Sequence, residues 1–312
     1  MAGISGSADV VFTAAVAGSQ YTQLVFSRGV VSTVVVIAVG CTGRIEATVT
    51  RDALDPDGRP NRTDGATDAS KPVCLSSYLL CDDFESYTPG SSPKGPWAVY
   101  LSPSNAGQAV VETTKSTSGT HSVRLSSTIE GIGYAAVQLR TPLHLPANAY
   151  YGKMKVWASG TPTPHHWNLL QSWGYAPGTA RIPSNERLYQ YGGSVQIGTP
   201  MRPDGANMLS AYYLSSTVDC EQNSLATLPL RQWVCIEWQF DGPKNTMRFW
   251  IDGQPVNDLT VTDPRSGCGG TWPAPAFERL DLGWYNVSAE NGVPFDMWID
   301  DVAFDVNRVP CQ

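Results

Sequence analysis

The chain has 312 residues, few of them charged, and its 21 Lys and Arg against 28 Asp and Glu leave a net charge of −7. That balance offers no basic stripe to engage phosphates, which excludes nucleic acid as a partner. The 29 Gly, 23 Pro, 10 Trp and 13 Tyr suit an exported all-β protein rich in turns.

Residues 1–41 read as a targeting segment. Arg28 precedes an apolar run at 30–39 that ends in Gly40-Cys41. The run is too short to cross a bilayer as a helix but suits a signal h-region. Small residues before a cysteine predict a bacterial lipoprotein cleavage site with a lipid anchor at Cys41, although Ala38 stands where Leu is usual. Plain secretion is the alternative. The stretch before Arg28 is long for the region ahead of an h-region, which initiation downstream of Met1 would explain. Residues 42–72 are polar, rich in Asp, Arg, Gly and Pro and free of hydrophobic periodicity, so they read as a flexible linker.

Residues 73–312 make one expected domain, of a size usual for a single β-sandwich. Strands are predicted at 122–127, 135–140, 151–158, 167–173, 187–197, 209–215, 233–240, 247–251, 279–285 and 295–304. Asp252-Gly253 between MRFWI and QPV predicts a hairpin. A run of antiparallel strands must bury two sheet faces against each other, which predicts a two-sheet sandwich or jelly roll. Removing Cys41 from the seven cysteines leaves six, an even set for an oxidising compartment. Cys74 and Cys81 are close enough for a local loop; spacing leaves the pairing of Cys220, Cys235, Cys268 and Cys311 open. No CxxC or Cys/His zinc spacing is present.

Three strands carry chemistry on their outward faces. In 187–197, alternation puts Leu188, Gln190, Gly192, Ser194 and Gln196 on one face and Tyr189, Tyr191, Gly193, Val195 and Ile197 on the other. Two amides and a hydroxyl in a row suit sugar hydroxyls, and the glycine pair lets another backbone or a ligand come close. In 167–173, Trp167, Leu169, Gln171 and Trp173 share one face. His166, Asn168, Leu170 and Ser172 share the other, which points outward if the tryptophans face the core. In LDLGWYN, Leu282 and Trp284 face one way, Asp281 and Tyr285 the other.

The order of CDDFES, SGTHSVRL, HHWNLL, YGGSVQ, WVCIEW, FWIDGQPV, LDLGWYN, WIDDVAF and the terminal Cys311 resembles the concanavalin A-like jelly rolls. More closely it resembles the cellulose-induced protein one family of fungi and bacteria, relatives of the glucuronan and alginate lyases, over 81–311. The resemblance implies a Cys235–Cys311 disulfide, leaving Cys220 with Cys268. It implies a structural calcium (Ca2+) held by Glu85, Ser118, His121 and Asp300, where the first and last strands meet. Independently, Asp82, Asp83, Glu85, Asp300 and Asp301 would supply the oxygens and charge that calcium needs, with Ser118 and His121 offering backbone carbonyls. Asp301 is an alternative to Asp300. The family's groove histidine aligns with His166, its arginine is replaced here by Gln190, and Tyr285 occupies a Gly-x-Tyr-Asn setting like that of alginate-lyase-type sites.

Uronate β-elimination needs a group that neutralises the carboxylate, a base for the C5 proton and an acid for the leaving oxygen. The candidates are Gln196 with Gln190 or Arg187 as neutraliser, His166 as base, and Tyr285 or Tyr212 as acid, with Tyr213 a neighbouring alternative. One feature opposes a polyuronate: residues 72–312 keep 15 basic and 21 acidic side chains. An acidic surface repels an acidic polymer unless the site is locally basic, a role open to Arg140, Arg181 and Arg187. Glycoside hydrolysis is disfavoured, because Glu237 has no carboxylate partner in a laminarinase-type pattern. A non-catalytic carbohydrate-binding jelly roll remains the alternative, with Trp97, Trp167, Trp250, Trp272 and Trp284 as stacking candidates. The expected protein is a secreted or outer-membrane, extracytoplasmic monomer that meets plant or microbial polysaccharide.

Overall fold

The computed structural model describes residues 10–12, 24–26, 74–127, 135–160, 166–194, 208–262, 272–286 and 295–311. The chain divides into two compact units, Met1–Asp68 and Ala69–Gln312. In the first, β1 (Val10–Phe12) pairs antiparallel with β2 (Leu24–Phe26). Cys41 lies outside the described residues. Among those described, no helix is long and apolar enough to cross a membrane.

The second unit is an all-β, two-sheet antiparallel sandwich of the jelly-roll class. Its strands are β3 (Leu80–Asp82), β4 (Ala98–Ser102), β5 (Gly107–Glu112), β6 (Ser122–Ser127), β7 (Ala135–Pro142), β8 (Ala149–Ala158), β9 (Trp167–Tyr175), β10 (Glu186–Ser194), β11 (Met208–Ser215), β12 (Asp219–Asn223), β13 (Trp233–Asp241), β14 (Thr246–Ile251), β15 (Gln254–Pro255), β16 (Ala276–Asn286) and β17 (Phe295–Asp305). One sheet runs β12-β11-β10-β9-β16-β7-β4; the other runs β15-β14-β13-β8-β17-β6-β5, with β3 pairing the far end of β17. All ten predicted strands are present. The sequence reading missed β3, β4, β5 and β12, whose short mixed segments lack a clean period of two.

Between the sheets lies a core built from alternating inward residues. Tyr189 and Tyr191 of β10 meet Phe240 of β13, and Tyr150 of β8 packs edge-on to Phe240 and Phe277. Burying one such ring contributes roughly 2–3 kcal/mol. Trp97, Trp167, Trp250, Trp272 and Trp284 are all buried, so none of the five expected stacking tryptophans offers a face to a sugar. The glycine pair of β10 also has a structural explanation. A Cβ on Gly192 would fall 1.9 Å from the Trp167 carbonyl oxygen, and one on Gly193 would fall 2.6 Å from the Trp167 indole. Of the two expected neighbours, it is another stretch of chain, the Trp167 backbone and ring, and not a ligand that comes close.

The chain ends are tied into this body. Asp82 accepts hydrogen bonds from the Phe84 N–H (2.9 Å), the Tyr87 hydroxyl (2.7 Å) and the Trp97 indole N–H (2.7 Å). Cys74 is bonded to Cys81, and Cys235 to Cys311. Cys220 is also disulfide-bonded; its expected partner, Cys268, lies outside the described residues.

Candidate functional site

The outer face of the seven-stranded sheet carries most of the expected site residues. Strand registers set them in rows. One row runs Glu221, Tyr212, Gln190, Gln171, Asp281, Arg140 across β12, β11, β10, β9, β16 and β7. To one side, roughly 6.6 Å along the strands, runs Asp219, Leu214, Leu188, Trp173, Arg279. On the other side stand Asn223, Ser210, Gly192, Asn168 and Tyr285.

A bulge in β9 makes this arrangement. Leu170 pairs with Tyr191 and Asn168 with Gly192, so Leu169 is an extra residue. Strict alternation would send Gln171 and Trp173 to the core with Trp167. The bulge instead turns Trp167, Leu169 and Leu170 inward together and brings Asn168 and Gln171 to one face. There the Asn168 amide donates to Gln171 Oε1 at 3.3 Å. Across β16, Gly283 adopts φ +116°, and a Cβ there would sit 2.6 Å from both a Leu125 methyl and the Val137 carbonyl oxygen.

At one end of the face, His166 Nδ1 lies 2.9 Å from the Tyr212 hydroxyl and 3.8 Å from Glu221 Oε2. The Tyr212 hydroxyl donates to the Gly193 carbonyl at 3.3 Å. Burial, reinforced by the negative charge of Glu221, holds the Tyr212 phenol well above its ordinary pKa. The phenol therefore keeps its proton at neutral pH. With that proton on Gly193, the hydroxyl oxygen is free to accept Nδ1–H of His166, an arrangement that turns Nε2 toward the face on a side chain 38% exposed.

At the other end, Asp281 is fully buried. Gln171 Nε2 donates to its Oδ2 at 3.1 Å, Arg140 Nε approaches the same oxygen at 3.2 Å, and Arg279 Nε donates to Oδ1 at 2.8 Å. Burial pushes the Asp281 carboxyl above its ordinary value, against the pull of Arg279 and Arg140. The Arg140 guanidinium lies 3.2 Å from the Tyr100 ring centroid, and that of Arg279 lies 5.1 Å from the Trp173 ring. Beside Trp173, a cleft is lined by Pro183, Leu188, Leu214 and Ser216.

His166, Tyr212 and Gln190 thus converge, and Tyr285 stands on the same face beside Asn168. Arg187 does not join them. It has the opposite parity to Gln190, its charge acts on Tyr213, and it lines the cleft beside Trp173 with Leu188 and Leu214. Gln196 lies outside the described residues. Tyr213 is buried against Trp272 in the core. Arg181 pairs with Glu278 at 3.0 Å, so of the three arginines expected to make the site basic only Arg140 enters the central row. Sequence reasoning missed Gln171, Asp281 and Arg279 as a unit, since their contacts follow from the bulge and from β16 lying between β9 and β7.

The expected calcium ligands gather on the 116–121 loop. Glu85 Oε1 accepts the N–H groups of Thr120 (2.7 Å) and His121 (2.6 Å). Asp300 Oδ2 accepts Thr117 N–H at 2.8 Å, while Asp301 accepts the hydroxyls of Thr117 and Ser118. Burial and the adjacent Asp301 raise the Asp300 carboxyl to about 7. Among the described residues no cluster of three His, Cys, Asp or Glu side chains is poised to hold a metal. Asp300 and Asp301 are also supplied with the Thr117 hydroxyl, and the charge of the buried Lys153 acts on Asp301.

A family model described as "Polysacc_lyase-like: Cip1-like, core domain" matches residues 83–307. No curated protein matches the chain. Among solved structures, "Cellulose induced protein, Cip1" is similar at 18% identity and a TM-score of 0.52, over 75% of this chain and 100% of that one. A structure from work on endo-acting O-glycanases of the human gut microbiota that initiate mucin breakdown has 11% identity and a TM-score of 0.47, over 73% of this chain and 99% of that one. Domain 4 of AbnA, an arabinanase from Geobacillus stearothermophilus bound to arabinotriose, has 14% identity and a TM-score of 0.34, over 63% of this chain and 77% of that one.

Proposed function

The chain belongs to the Cip1-like polysaccharide lyase-like family, and from that premise we propose that the outer face of its seven-stranded sheet cleaves a uronate-containing polysaccharide by β-elimination. The observation that carries this is the 2.9 Å pair of His166 and Tyr212 beside the Gln190–Gln171 amides. His166 Nε2 takes the C5 proton, the C4–C5 double bond forms and the C4–O bond breaks. Tyr212 orients the imidazole, and Tyr285 is the residue on this face suited to give the leaving oxygen its proton. Incubation with a panel of polyuronates tests it. Product absorbing in the unsaturated-uronate band, lost in His166→Ala, is the expected result; no such product from any polymer sinks it.

A second reading is favoured by the cleft beside Trp173, where Pro183 and the exposed Leu214 give apolar surface that suits the flat face of a sugar without any chemistry. A pure binding protein would hold glycan equally well after His166→Ala. In either case, a calcium ion shared by Asp300, Glu85 and carbonyls of the Ser118–His121 loop would tie the first strands to the last. The Cys74–Cys81 and Cys235–Cys311 disulfides fit an oxidising, extracytoplasmic compartment, with Cys41 as the lipid-anchor candidate and a monomer as the working unit.

A further inference from the structure

We infer that Arg140 and Arg279, braced by Asp281, form a carboxylate-binding subsite that reads an acidic sugar further along the chain from the one engaged by His166 and Tyr212. This rests on the proposal that a polysaccharide lies on this face. The two arginines converge on one fully buried carboxylate, each approaching it most closely through Nε. One carboxylate between two guanidinium groups leaves a net positive charge at this end of the row. Arg140 also hydrogen-bonds the Tyr100 side chain, no second carboxylate pairs with either guanidinium among the described residues, and the two side chains remain 22% and 36% exposed. The Tyr100 ring lies over the Arg140 guanidinium and the Trp173 ring over that of Arg279, cation–π contacts that help hold them in place. Two planar forks fixed this way match the two oxygens of a carboxylate.

The charge-reading position has therefore moved across the sheet. Gln190 is uncharged, and Asp281 stands two strands from it and three from Tyr212, roughly 14 Å at ordinary strand spacing. A carboxylate held by Arg140 and Arg279 thus belongs to a different sugar residue from the one losing its proton at His166. The expected ligand carries more than one uronate along its length, rather than one uronate in a neutral chain. It also answers the acidic balance of the domain with a basic spot where the polymer is gripped.

The test uses the full chain carrying His166→Ala, so that ligand is not consumed. Binding is measured by calorimetry to a polyuronate and to the same polymer with its carboxyl groups reduced to alcohols. Arg279→Gln, and separately Arg140→Gln, should weaken polyuronate binding about 10-fold each and leave binding of the reduced polymer unchanged. Arg279→Lys should recover only part of the loss, since it keeps charge without the fork. A variant that loses affinity for both polymers alike, or for neither, overturns the inference while the polysaccharide reading stands. If the parent chain binds neither polymer, both readings fall together. Asp281→Asn, which keeps both arginines but removes their brace, should weaken polyuronate binding with the reduced polymer again unaffected; unchanged polyuronate binding would count against the bracing.

Discussion

Tyr212 is the residue whose role separates chemistry from packing most cleanly. Its ring packs edge-on to His166 at 5.7 Å, and its hydroxyl meets both His166 and Gly193. Tyr212→Phe keeps the ring and removes the hydroxyl. The expected result is a fall in kcat of about 10-fold or more with KM little changed, because imidazole orientation matters in the transition state. Equal kcat in the variant would remove Tyr212 from the machinery. Gly283 makes the opposite kind of test. With φ +116° and a Cβ position 2.6 Å from the Val137 carbonyl oxygen, Gly283→Ala should cost more than about 1 kcal/mol of stability. Denaturant unfolding reads that cost, and it needs no substrate. At this scale the sequence was informative about identity but not about contact. His166 and Gln190 stood out by type and strand parity and Tyr212 by type alone, whereas Arg187, of opposite parity to Gln190, lies at the cleft beside Trp173 rather than in the amide row.

At the scale of elements, the β9 bulge and the β17 terminus decide most. Strand periodicity located β9 to within two residues, yet an inserted residue has no local signature, so alternation misplaced Gln171 and Trp173. In β17 the register slips between Asp300 and Ala303, which places two acids side by side at the seam with β3 and the 116–121 loop. Asp300 rises from its ordinary 3.8 to about 7 through burial and the Asp301 charge. In the absence of a cation, the folded state holds a proton there that the unfolded chain has lost. Stability from this group is therefore full below about pH 4 and is lost as pH rises toward 7, at up to about 1.4 kcal/mol per pH unit. A bound divalent cation reverses the preference. Added calcium at pH 8 should raise Tm, and should do so less at pH 5, where the carboxyl is protonated. A Tm indifferent to calcium at both pH values would remove the metal. The last strand also feeds Cys311, bonded to Cys235 across a separation of 76 residues, beside the Arg308–Glu237 ion pair at 2.8 Å. Replacing both cysteines by Ser should cost about 4 kcal/mol on the chain-entropy account, seen as a lower Tm under non-reducing conditions.

For the whole molecule, the sandwich is closed by pairings that lie within residues 80–305, from β3 on β17 to β15 on β14. A fragment covering Ala69–Gln312 should consequently unfold in one cooperative step at the temperature of the full chain's main transition, followed by circular dichroism. A drop of more than a few degrees would mean that the preceding unit contributes to the core. The sequence by itself determined the fold class, ten of the strands, the inward Tyr189 and Tyr191 and the family motifs. Each of these follows from local alternation and hydrophobic burial, which act along the chain. It also supplied His166, Gln190 and Tyr212 as candidates. Only the tertiary structure decided which outward residues meet: Arg140, Asp281, Arg279 and Gln171 are far apart in the chain and become neighbours through the strand order β9-β16-β7. Likewise only the structure showed that the Gly192-Gly193 pair makes room for Trp167. Strand order and bulge position are set by packing summed over both sheets, and that sum is not written in any single segment.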